Sequence, residues 1–103
     1  MKYTATTIWE GTPEALLLLV EASKTAAPIH ESFGAKNPRI LQAQFGGQYD
    51  RMHYCIDFNS AEEFGKFADQ IESSGWMAET RQTVAAAYPN LRLIQQVLFQ
   101  NLL

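Results

Sequence analysis

Apolar residues recur along this chain with two periods, every second residue in some stretches and every third or fourth in others. Residues 2–10 (Lys-Tyr-Thr-Ala-Thr-Thr-Ile-Trp-Glu) are rich in β-branched and aromatic side chains, which suits a half-buried strand. Gly11-Thr12-Pro13-Glu14 then reads as a helix start. Thr12 is the N-cap, Pro13 takes the first helical position, and Glu14 sits near the positive end of the helix dipole. Behind them Leu16, Leu19, Val20, Ser23 and Ala27 form one stripe, with Glu14, Glu21, Lys24 and also Leu17 on the polar side. Pro28 predicts an end or a kink of this helix before Ile29 to Phe33, and Gly34 with Asn37-Pro38 a loop.

Residues 39–45 and 51–58 read as paired strands around a Gly46-Gly47-Gln48-Tyr49-Asp50 hairpin. A tight loop centred on Gly47-Gln48 sets Gln44 opposite Arg51, Gln42 opposite His53, Leu41 opposite Tyr54 and Ile40 opposite Cys55. A three-residue loop would shift all of these pairs. Ser60 with Glu63 is a capping box, and Phe64, Phe67, Ala68 and Ile71 line one face of the helix that follows. Ser73-Ser74-Gly75 interrupts it, a second helical piece runs from Trp76 to about Ala87, and Tyr88-Pro89-Asn90 breaks that. Leu91 to Gln100 reads as the last strand.

The order is β-α-β-β-α-β with the second helix in two pieces. It predicts an α+β, ferredoxin-like split βαβ domain spanning 1–103, with a four-stranded antiparallel sheet and its helices on one face. Three helices plus a hairpin is the competing arrangement. Met52, Tyr54, Ile56 and Phe58 should face the helices, leaving Arg51, His53, Cys55 and Asp57 behind, beside Gln42, Gln44 and Ile40. The outer strands put apolar groups on both faces: Tyr3 and Trp9 against Ile8, and Leu93, Val97 and Phe99 against Ile94 and Leu98. A sheet wetted on one side alternates cleanly. This one predicts a homodimer in which two sheets pack face to face.

Composition narrows the partners. The chain of 103 residues carries a net charge of −3 without a Lys/Arg cluster, so nucleic acid is not an expected partner. Its longest apolar run, Ala15 to Val20, is far short of the ~20 residues of a membrane span. No signal peptide is read in Met-Lys-Tyr-Thr. The single cysteine, Cys55, excludes an internal disulfide, which fits a reducing compartment and gives cytoplasmic as the expected location. Neither the zinc, P-loop and dinucleotide motifs nor the serine-hydrolase elbow is present, and no metal or cofactor is expected.

The strand "NPRILQAQF", the turn "GGQYDR", the strand "MHYCIDF" and the helix start "NSAEEFGKF" give the chain a resemblance to the dimeric α/β-barrel superfamily. That superfamily includes antibiotic-biosynthesis monooxygenases, haem-degrading monooxygenases, stress-responsive barrel proteins and NIPSNAP-like proteins. The resemblance covers nearly the whole chain and implies the fold and the dimer. It speaks less to activity, because this fold hosts many functions. Haem-degrading relatives use a first-strand Asn and a His beyond the Trp. Here the first strand lacks Asn, and no His follows Trp76. The quinone-forming relatives use Asn, Trp, Tyr and Arg, of which Trp76, Arg81 and Tyr88 supply three types without the matching spacing.

His53 and Arg51 are the candidate catalytic residues: an imidazole able to move protons at neutral pH, and a guanidinium suited to a carboxylate or phenolate. Trp76, Tyr54, Gln42, Gln44 and Tyr88 are the candidate ligand-binding residues. Each has a plainer reading, with His53 and Arg51 as polar sheet-face residues and Tyr54 and Trp76 as core. His30, near the end of the first helix, reads as a helix-end or surface residue. The implied function is a small-molecule-binding dimeric α/β barrel with cofactor-independent oxygenase chemistry on an aromatic or polyketide-like substrate. The alternative is a non-catalytic stress-response, ligand-binding or structural dimer, and whether the chain is an enzyme stays open at this point.

Overall fold

The computed structural model describes residues 1–103. Strand β1 (Tyr3–Gly11) leads into helix α1 (Pro13–Ser32), followed by β2 (Lys36–Leu41), β3 (Arg51–Phe58), α2 (Ala61–Ser73), α3 (Trp76–Ala87) and β4 (Leu91–Gln100). The four strands form one antiparallel sheet in the order β2-β3-β1-β4. This is an α+β architecture consistent with the ferredoxin-like arrangement.

The caps stand where the sequence puts them. Thr12 Oγ1 accepts the Ala15 N–H at 3.2 Å, and Ser60 Oγ accepts the Glu63 N–H at 3.1 Å. Glu63 returns its carboxylate to the Asn59 N–H at 3.0 Å, one residue before the cap. Gly75, at φ +84°, supplies the left-handed residue that separates α2 from α3.

All three helices lie over one face. Phe67 and Ile71 of α2 pack on Tyr54, Ile56 and Phe58, with Trp76 and Met77 of α3 alongside. Ala15 and Leu16 of α1 pack on Met52 and Leu91. Phe58 is wholly buried, and sealing a side chain of that size from water stabilises the fold by about 1.5–3 kcal/mol. The face assigned to β3 from its alternation is therefore the core face.

Three expectations need correction. First, α1 runs through Pro28 to Ser32. Pro28 is exposed, while Ile29 and His30 beyond it are drawn against the fold, so tertiary packing overrides the missing backbone donor. Second, β2 begins at Lys36, taking in the Asn37-Pro38 expected in a loop, and ends at Leu41, so that residues 42–50 form a long loop. Its register is one residue from the expected one: Ile40 faces Tyr54, Leu41 faces His53 and Arg39 faces Cys55. A one-residue slip exchanges the faces. Ile40 thus joins the core, and neither Gln42 nor Gln44 neighbours His53. Third, the β1–β4 register shifts between Ile8 and Trp9, which pair with Gln95 and Leu93. Skipping Ile94 turns Leu93 to the helix side with Leu98, while Val97 and Phe99 stay behind.

No helix is long and apolar enough to cross a membrane.

Candidate functional site

The sheet divides the expected site residues between its two sides. On the face without helices, the strand pairings give four rows across the sheet. They are Lys36–Asp57–Thr4–Phe99, Arg39–Cys55–Thr6–Val97, Leu41–His53–Ile8–Gln95 and Arg51–Glu10–Arg92. The charges gather at the two ends. Asp57, buried, accepts hydrogen bonds from Thr4 at 2.8 Å, Arg39 at 3.0 Å and Asn37 at 3.1 Å. Burial by itself pushes its carboxyl pKa up. The bonds from Asn37, Thr4 and Arg39, with the Arg39 charge, overrule that and hold it below the ordinary carboxylate value. At the other end Glu10 is shared by Arg51 and Arg92, each at 3.2 Å. Arg51 Nε is buried without a partner.

Between these ends lies a nearly neutral band. Thr6 and Cys55 are buried and in contact at 3.5 Å, flanked by Ile8, Leu41, Val97 and Phe99. His53 lies half-buried between Ile8 and Leu41. Arg51 and His53 therefore share this face without sharing a partner. His53 and Asp57, four residues apart along one strand, are separated by about 13 Å.

The helix side brings together Tyr54 and Trp76 with a residue the periodicity did not place there, His30. Its Nδ1 lies 2.7 Å from the Tyr54 hydroxyl. Its ring meets Trp76 edge-on at 4.9 Å, Tyr54 at 5.3 Å and Phe67 at 5.7 Å. Four elements, α1, β3, α2 and α3, thus converge on one imidazole. Burial pulls the His30 pKa down to about 4, so the ring is neutral at neutral pH. Burial, and next the Glu31 charge, raise the Tyr54 phenol to about 12, so it keeps its proton. The signal for His30 was present in the sequence: the stripe Leu16, Val20, Ser23, Ala27 continues to position 30 once Pro28 no longer ends the helix.

Gln42, Gln44 and Tyr88 stand away from this cluster. Gln42 donates to the Tyr49 carbonyl at 3.3 Å within the 42–50 loop, and Gln44 is exposed there. Tyr88, also exposed, lines two open hollows. One, of about 310 Å³, is polar and bounded by Glu10, Thr12, Asp50, Asn90 and Arg92. The other, about 520 Å³, lies between Val84 and Ala85 of α3 and Leu91 and Leu93 of β4. Neither is lined by His53 or Arg51. No three His, Cys, Asp or Glu side chains are grouped so as to hold a metal ion.

No protein-family model matches the chain, and no curated protein matches it.

Proposed function

We propose that this protein is a homodimeric small-molecule-binding module on the plan of the dimeric α/β barrel, acting in a reducing compartment. In this reading two copies join through the helix-free faces of their sheets. Each copy takes a small aromatic ligand on the helix side, beside Tyr54 and Trp76.

One observation carries the reading. A sheet with helices on one side only holds on the other a mixed band, Ile8, Leu41, Cys55, Val97 and Phe99 among Thr6, His53 and Gln95, bracketed by charges that are already paired within the chain. Phe99 is 49% exposed and Leu41 52%. Apolar area removed from water contributes roughly 25 cal/mol per Å². Four strands about 4.8 Å apart and some eight residues long present roughly 500 Å² in projection, at the lower limit for one side of a specific interface.

Cofactor-independent oxygenase chemistry on a phenol or polyketide-like substrate is the activity that the family resemblance implies. A non-catalytic ligand-binding or structural dimer shares the architecture.

Sedimentation equilibrium at micromolar concentration tests the assembly. The expected result is a dimer that Phe99→Asp converts to a folded monomer. A monodisperse wild-type monomer would overturn the proposal.

A further inference from the structure

The sheet has two edges, and they are finished differently. β2 carries Lys36, Pro38 and Arg39 within its short span. Proline and charge are how an edge strand is kept from pairing with another chain. β4 pairs with β1 alone, and along Leu91–Gln100 it has no proline and a single charge, Arg92. Its register shift lies opposite Ile8 and Trp9, so the run from Gln96 onward is regular.

The backbone polarity of this run is set at its end. The Asn101 N–H donates to the Lys2 carbonyl, directly opposite it, at 2.7 Å. Bonded and non-bonded pairs alternate along an antiparallel ladder, so Phe99 and Val97 also turn their backbone groups toward β1. Gln96, Leu98 and Gln100 turn theirs outward, where no further strand of the chain lies. All three are exposed.

The run also reads nearly the same in both directions about Leu98: Gln95-Gln96-Val97-Leu98-Phe99-Gln100-Asn101. Laid antiparallel to itself about a two-fold axis at Leu98, it sets Leu98 against Leu98, Gln96 against Gln100, Val97 against Phe99 and Gln95 against Asn101. Amide meets amide, apolar meets apolar, and no two charges are brought together. Opposed pairs of like kind are what stabilise such a ladder. Its bonded pairs are Leu98 with Leu98 and Gln96 with Gln100, the residues whose backbone groups point outward. Side-chain pattern and backbone polarity therefore specify one register. We infer that β4 is a self-pairing edge, to which a second copy of this chain adds its own β4 antiparallel, centred on Leu98, to form one continuous sheet. Main-chain bonds supply the affinity in such strand addition, and the alternate side chains the specificity. This goes beyond the face-to-face contact proposed above and uses different groups, the backbone of one edge instead of the side chains of one face.

A concentrated sample in which half the chains are ¹³C-labelled and half unlabelled, read for backbone contacts between chains, tests this. The expected result is a nuclear Overhauser contact from Val97 Hα of one chain to Phe99 Hα of another, the close approach of a non-bonded antiparallel pair. Sheets stacked face to face stand about 10 Å apart, so that assembly does not produce it. Leu98→Lys places two like charges at the axis and should abolish the contact. Should that variant not fold, Gln100→Pro, which removes an outward N–H and leaves the ladder to β1 intact, should abolish it instead.

No backbone contact between chains, contacts of β4 with β2 in its place, or a Val97–Phe99 contact that survives these substitutions overturns the inference. None of these results touches the proposed face-to-face contact, which is read from the Ile8 and Leu41 side chains.

Discussion

His30 and Asp57 respond to acid over different ranges. The His30 pKa falls from 6.5 to about 4 on folding. As pH drops below 6.5 the unfolded chain takes up a proton that the native ring refuses. Stability present above that value is then lost progressively down to about pH 4. Asp57 is also depressed, here by its hydrogen bonds. Its contribution is intact above the ordinary carboxylate pKa of about 4 and goes only as pH falls further. Urea denaturation at fixed protein concentration should therefore show two declines. His30→Gln should remove the first and Asp57→Asn should flatten the second. A wild-type stability that stays constant from pH 7 to 4.5 would contradict the burial of His30. Tyr54 and Trp76 were legible in the sequence as apolar residues at core positions. His30 lies on the stripe of Leu16, Val20, Ser23 and Ala27, but a proline two residues earlier, ordinarily a helix stop, hid it.

At the scale of elements, local signals placed nearly everything. Thr12, Ser60 and Gly75 mark the helix starts found in the fold, and β3 and β4 carry the expected bounds. The misses come from long-range packing. The loop after Leu41 is longer than the glycine pair suggests: Gly46 and Gly47, both at φ +69°, turn the chain well beyond the end of β2. Register therefore slips by one, and with it the expected grouping of Gln42 and Gln44 around His53. In β4 one skipped residue, Ile94, exchanges the faces of Leu93 and its followers, which no alternation count reveals. In α1 the fold tolerates Pro28 at a cost. Restoring the missing donor with Pro28→Ala should raise stability by about 1–2 kcal/mol, the gain in helix propensity less the added freedom of the unfolded chain. Chemical denaturation measures this. An unchanged or lowered midpoint would mean that Pro28 itself is needed to position His30.

The whole molecule is a slab 35 × 34 × 20 Å across, one sheet layer and one helix layer thick. Such a slab has a front and a back, and only the front is roofed. The notion that both faces carry apolar groups came from the alternation of the outer strands, and it survives the changes of register in altered form. Ile40 and Leu93 moved to the front, while Leu41 took a place at the back beside Ile8, Val97 and Phe99. The back remains a mixed band, apolar at Ile8, Leu41, Cys55, Val97 and Phe99 and polar at Thr6, His53 and Gln95, between paired charges, and its meeting with a second copy is what the proposed function depends on. The most direct test is a mixed sample in which half the chains carry ¹³C-labelled methyl groups and half are unlabelled, read for nuclear Overhauser contacts between chains. The account predicts intermolecular contacts at the Ile8, Leu41 and Val97 methyls, including contacts to the Phe99 ring. Contacts confined to Leu17 and Leu18 on the outer side of α1, or none at all, would contradict it.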